Sequence, residues 1–436
     1  MSLPPNSAPI PQARTIQTPD PIAPGTFRLD SVDILRGIIM VVMALDHTRD
    51  FFSHLRFAPE DITQTYLALW ITRWVTHYCA PAFFFLAGTG AYLSYARHRH
   101  IARTSHFLWT RGLWLIFLEW TVVGFAWTFI FPFPWGGVIW GLGCCMIVNA
   151  AIVRLPVKWV AALGAVMVLG HNLLDNIQPM GSGNVSWYWR ILHRGGFIPL
   201  TPPAWLVPHL PPGGFGFFVL YPLIPWIGVM SLGFAFGSVL QRSPADRQRR
   251  MLRLGSLLTA GFVVLRAFNL YGNPRHLFTV GPYVDTSFHL QPTLAQNFIL
   301  FTDVEKYPPS LQFLLMTLGP ALIAMALFDR IRMQGPGLAA RVARFFVVFG
   351  RVPMFYYILH LYLIHLLAIA VATAFGQPHQ QLWRGGFMLG PAPPGFGFNL
   401  PFIYLMWITA VLILYYPSRW FMGVKQRRRD WWLSYI

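Results

Sequence analysis

Long apolar runs, each ended by a charged or Pro/Gly-rich stretch, set the pattern of this chain. A membrane-spanning helix needs about 20 apolar residues. Runs of about that reach lie near residues 34–53, 74–96, 107–131, 137–153, 159–174, 215–240, 254–271, 310–329, 352–375 and 400–417. The fifth is the shortest. The pattern predicts an all-α polytopic membrane protein of about ten transmembrane helices. Residues 27–436 then form a single membrane domain behind a Pro/Ser/Thr-rich tail, 1–26, read as a disordered cytosolic segment with no signal-peptide core.

The connections alternate in character. "RHRHIAR" (97–103), Arg154 with Lys158, "QRSPADRQRRMLR" (241–253), "DRIRMQGPGLAARVAR" (329–344) and "KQRRR" (425–429) carry most of the positive charge. Lys and Arg accumulate on the cytoplasmic side, so this alternation predicts that both termini are cytoplasmic. The connections at 175–214 and 272–309 are long and rich in Gly, Pro and aromatics, as in "NVSWYWRILHRGG" and "TPPAWLVPHLPPGG". Long connections often carry function, and these would cover a site facing outward.

Composition agrees. The chain has 436 residues, of which 55% are hydrophobic and 11% charged, against about 25% charged in soluble domains. The mean hydropathy is +0.49. A net charge of +18 would suit nucleic acid, but topology accounts for where that charge lies, so no nucleic-acid partner is expected. Cys79, Cys144 and Cys145 sit in apolar segments and imply no disulfide framework. No internal repeat, phosphate-binding glycine motif or zinc-type Cys/His spacing is present, and no metal is expected.

The first apolar run raises a chemical question. It ends in "MALDHTRDFF" (43–52), although a charge at the bilayer centre costs about 2.5–3.5 kcal/mol. On a helix, Arg36, Met40, Met43, His47, Asp50 and His54 share one face, with spacings of 4, 3, 4, 3 and 4. Arg36 lies at the cytoplasmic end, about 16 Å from His47 at 1.5 Å per residue. Asp46 lies beside His47 on the adjacent face. A His accepts and returns protons near neutral pH, and Asp46 or Asp50 would orient it. The alternative is a buried ion-paired joint between helices.

"RLDSVDILRGIIMVVMALDHTRDFF" (28–52) resembles the opening of the heparan-α-glucosaminide N-acetyltransferase catalytic-domain family, in its bacterial branch, within the transmembrane acyltransferases. "THYCAPAFFFLAGTGAYLS" (76–94), "LWTRGLWLIFLE" (108–119), "GGVIWGLG" (136–143), "YPLIPWIGVMSLGFAFG" (221–237), "KYPPSLQFLLMTLGP" (306–320) and "FGRVPMFYYILHLYLIH" (349–365) continue the resemblance in order. It implies acyl transfer from cytosolic acetyl-CoA or another acyl-CoA to a hydroxyl or amine of a glycan or glycolipid on the far side. By resemblance, His47 matches the critical His near the end of the first helix. Lysosomal members place Asn there and an active His slightly later, which leaves His54 as the alternative base. Transfer would be direct or through an acyl-His intermediate.

Other candidates follow from position. Arg36, Arg111 and Arg351 lie at cytoplasmic helix ends and suit CoA phosphates; Arg351 in "GRVP" is preferred, since Gly350 and Pro353 suggest an irregular backbone. Lys306 and Ser310 of "KYPPS", with His77, would line the outer mouth and hold substrate, or else Ser310 and the prolines only rigidify a helix start. His360 and His365 are five residues apart and face different sides; His360 is favoured for the cavity. Glu119 near mid-membrane needs a partner such as Arg266 or a His. Trp226 is expected to pack. The rival reading is a proton-coupled transporter or flippase using the same buried His and Asp groups. A bacterial inner membrane is the expected location, and a homodimer is left open.

Overall fold

The computed structural model describes residues 29–177, 180–181, 184–201, 216–273, 287–389, 392–428 and 430–435. The 1–26 tail, the "PPAWLVPHLPPGG" part of one long connection and residues 274–286 of the other lie outside them. The described residues form fifteen α-helical segments. They are α1 (Asp30–Phe52), α2 (Leu67–Thr76), α3 (Cys79–His98), α4 (Ile101–Leu118), α5 (Gly124–Thr128), α6 (Val138–Ile152), α7 (Val157–Gly170) and α8 (Trp187–Trp189). After these come α9 (Leu223–Leu240), α10 (Pro244–Ala267), α11 (Leu294–Thr302), α12 (Leu311–Phe328), α13 (Leu338–Arg351), α14 (Pro353–Ala374) and α15 (Leu400–Arg427).

Each of the ten expected apolar segments holds a helix. Among the described residues, five stretches are long and apolar enough to cross a membrane by themselves: Val157–Leu174, Leu223–Leu240, Leu311–Phe328, Pro353–Ala374 and Leu400–Arg427. The protein is an integral membrane protein of mainly helical architecture. α1 spans 23 residues, but its ionisable groups lower its apolarity, and α6 is only 15 residues long.

Several boundaries differ from the sequence reading, and three of them have a local reason. The run 74–96 is two helices broken at His77 and Tyr78; Pro81 has no N–H to give the carbonyl of His77. The run 215–240 opens as a strand, Gly216–Val219, paired antiparallel with Gly196–Pro199, and becomes helical only after Pro222. The basic connection 329–344 leads into a helix, α13, that packs against α1. There an added Cβ on Gly37 would lie 1.9 Å from the Phe346 carbonyl oxygen, and one on Gly350 would lie 1.9 Å from that of Asp33.

That contact shows how the bundle is held. Lipid gives helices no hydrophobic reason to associate, so close backbone approach and polar cross-links take over. α3 meets α9 through Gly88 and Gly233, each against a carbonyl of the other helix. Asn149 of α6 accepts from the Ser231 hydroxyl of α9 at 2.9 Å. The Trp407 indole of α15 donates to the Val41 carbonyl of α1 at 2.8 Å.

Candidate active site

α1 carries His47 at the start of its last two turns, and α14 brings His360 to it. Nδ1 of His47 lies 2.7 Å from Nε2 of His360, with the rings 18° from coplanar. Nδ1 of His360 lies 3.1 Å from the Tyr356 carbonyl, one turn earlier in α14. Aromatic rings wall the pair. Trp127 stands edge-on to His47 at 4.6 Å, and Tyr357 stands edge-on to both imidazoles, 6.4 Å from His47 and 5.3 Å from His360.

The two carboxylates expected to orient His47 are engaged elsewhere. Asp46 pairs with Arg49 at 2.8 Å and with Arg73 of α2 through both oxygens at 2.9 and 2.7 Å. Arg73 also binds Glu60 at 2.5 Å, and Asp50 pairs with Arg49 at 2.7 Å. The charged end of α1 is therefore an ion-paired network next to the histidine pair. His54 is exposed two residues past the helix end, with Nδ1 2.7 Å from the Phe398 carbonyl.

A cavity of about 260 Å³ opens among α1, α3, α4, α6 and α14. Arg36 and Arg111 line it, Tyr357 belongs to its wall, and the rest is almost wholly apolar, including Met40, Phe83 and Leu142. Gly90 also lines it, and a Cβ added there meets nothing within 4 Å. Arg36 is steadied by the Gly350 carbonyl at 3.1 Å and by Asp33 at 3.4 Å. Arg111 donates to the Ser434 carbonyl, while Tyr435 bonds the Thr110 hydroxyl at 2.7 Å. Residues 431–435 thus fold against the cavity-lining helix α4. Arg351 is held by Asp30 and Asp33, each at 3.4 Å, and does not belong to the cavity wall.

His77 is 1% exposed and sits edge-on to Phe313 at 5.5 Å. Neither of its ring nitrogens has a hydrogen-bond partner among the described residues. Lys306 is 8% exposed, its ammonium 5.0 Å from the Tyr307 ring. Ser310 caps α12, accepting from the Phe313 N–H at 3.1 Å.

Other candidates have structural partners. Glu119 does not meet Arg266 or a His, as its mid-helix position had suggested. It accepts from the Trp140 N–H at 3.1 Å. A carboxylate there meets the unsatisfied N–H groups of the α6 N-terminus. Arg266 instead donates to the carbonyls of Phe301, at 3.1 Å, and Leu300. His365 lies between the Ala126 and Leu382 carbonyls at 2.8 and 2.7 Å. Trp226 is fully buried and stacks on Phe84 at 4.4 Å. Among the described residues no cluster of His, Cys, Asp or Glu could hold a metal.

The sequence reading did not single out Arg73, Trp127 or Tyr357. Arg73 had a signal: an intramembrane carboxylate at Asp46 demands a cation, and "WITRWVTH" offers one. Trp127 and Tyr357 are aromatics among many, and only packing marks them.

The fold and site define a helical membrane protein with a histidine pair, His360 buried and His47 half-buried, beside an apolar, arginine-lined cavity. The model of the heparan-alpha-glucosaminide N-acetyltransferase catalytic family matches residues 28–265, more than half of the chain, and the protein belongs to that family. The comparison with curated proteins returns no match. Membership makes it a membrane transferase of the acetyltransferase type.

Proposed function

We propose that the protein moves an acyl group, in the first instance acetyl, from cytosolic acyl-CoA to a hydroxyl or amine of an extracytoplasmic, sugar-containing acceptor. Both termini are cytoplasmic in this reading, and the membrane is a bacterial inner membrane. The observation that carries it is the cavity: two arginines at one part of its wall, an apolar interior, and Tyr357 in contact with the His47–His360 pair. Arg36 and Arg111 meet the donor's phosphates. The apolar wall takes the pantetheine arm and delivers the thioester toward His47. Arg351 compensates Asp30 and shares Asp33 with Arg36, which borders the cavity.

His47 acts as general base. The acceptor oxygen or nitrogen attacks the thioester carbonyl and gives its proton to His47. The C–S bond then breaks, and the thiolate takes the proton back. His47 is preferred to His54 because it lies against the cavity wall residue Tyr357, whereas His54 is exposed and bound to a backbone carbonyl. Asp46 and Asp50 hold the end of α1 through Arg49 and Arg73. His77 and Lys306 hold the acceptor: a buried imidazole with both nitrogens unsatisfied suits a hydroxyl. Ser310 fixes the start of the helix that carries Phe313 beneath His77.

Calorimetric titration of acetyl-CoA into the purified protein tests this reading, with Gly90→Phe as control. A side chain at 90 projects into open space, so that variant keeps its melting temperature and loses saturable binding. A folded wild type that binds no acyl-CoA would overturn the reading and put a proton-coupled transporter first.

A further inference from the structure

The hydrogen bonds of the histidine pair fix where its protons sit. The Tyr356 carbonyl can only accept, so Nδ1 of His360 carries a proton. In a neutral imidazole the other nitrogen is then a bare acceptor. The 2.7 Å bond to His47 therefore has its proton on His47 Nδ1, which leaves the lone pair of His47 on Nε2. No described residue takes that nitrogen, and the His47 side chain is only half-buried.

We propose that His360 is a positioning residue for the transfer reaction, holding His47 in the tautomer whose Nε2 faces substrate. The proposal rests on the acyltransferase reading above. The carboxylates near His47 cannot do this work, since Asp46 and Asp50 are spent on Arg49 and Arg73. Between Tyr356 and Tyr357, a neutral imidazole orients the base without bringing an uncompensated charge into the apolar wall. The chain of bonds runs from the α14 backbone through His360 to His47, so the rigidity of one helix fixes the base on another. When His47 Nε2 takes the acceptor's proton, both of its nitrogens are protonated, and His360 Nε2 remains the acceptor for Nδ1. His360 itself neither gains nor loses a proton. The return of the proton to the leaving thiolate restores the starting tautomer.

Two measurements test this. The first is nitrogen-15 NMR of histidine-labelled wild type without substrate, which reads tautomers whether or not the protein is an acyltransferase. His47 protonated on Nδ1 and bare on Nε2 supports the proposal; the opposite tautomer overturns it. The second is turnover. His360→Phe is expected to lower kcat by about 10²-fold, at the low end for proton-transfer catalysis, with acetyl-CoA affinity unchanged. His360→Gln, whose side-chain oxygen can accept from His47 Nδ1, is expected to recover at least tenfold over His360→Phe. A His360→Phe protein at wild-type kcat, or a His360→Gln protein no better than His360→Phe at equal melting temperature, would overturn the positioning role while leaving the acyltransferase reading in place. A folded wild type with the expected tautomer that binds no acyl-CoA would refute the reading instead.

Discussion

Arg73→Met removes the hub of the ionic network at the end of α1 and keeps an aliphatic stem. Arg73 donates to both oxygens of Asp46 at 2.9 and 2.7 Å and to Glu60 at 2.5 Å. The side chains of Arg73 and Asp46 are 9% and 14% exposed. Removing one partner of a buried pair costs about 3–5 kcal/mol, because the other charge is left uncompensated. Two features reduce that here. Asp46 keeps Arg49 at 2.8 Å, and the Glu60 side chain, 31% exposed, can turn to water. The expected loss is therefore about 2–3 kcal/mol, below the full penalty. The assay is a double-mutant cycle, Asp46→Asn with Arg73→Met, followed by denaturant unfolding in a single detergent. Groups in direct ionic contact should couple by about 0.5–3 kcal/mol. Losses that add to within about 0.5 kcal/mol, the limit for independent sites, would show that the network does not hold α1 against α2.

Gly37→Ala should cost about 1–3 kcal/mol as an overpacking change, because its Cβ would sit 1.9 Å from the Phe346 carbonyl oxygen and force α1 from α13. Arg36, next in the chain, would lose its bond to Gly350. Unfolding and acetyl-CoA titration of the same sample should show both effects, and a variant as stable as wild type would refute the contact. Deleting residues 430–436 frees Arg111 from the Ser434 carbonyl. A hydrogen bond to a charged group is worth about 1.5–3 kcal/mol, and the low end applies to this exposed one, so acetyl-CoA should bind about tenfold more tightly. Weaker binding by the truncated protein would make the segment part of the donor site instead.

Much of the architecture is legible in the chain because lipid imposes a simple rule. Every spanning segment must satisfy its own backbone, so length and apolarity alone place helices. That rule located helices in all ten expected segments, and five of the seven family motifs, those up to residue 237, fall within the match over 28–265. It also drew attention to Asp46, His47 and Asp50, whose presence in an apolar run needs a reason. Local chemistry that interrupts the rule was harder to read. Pro81 splits α2 from α3, Pro222 delays α9, and α13 hides in a basic connection.

The partners of those polar groups were decided only by tertiary structure. Nothing in the spacing of α1 says that His47 meets His360, 313 positions away, while Asp46 beside it turns to Arg73. Arg36, Arg111 and Arg351 look alike as residues at helix ends, yet two line the cavity and the third closes on Asp30 and Asp33. The physical reason is that the sequence determines which groups cannot remain alone in an apolar phase. Which neighbour satisfies each of them depends on how the helices approach one another, and that is set by glycine contacts such as Gly37 against Phe346, which bring together helices far apart in the chain.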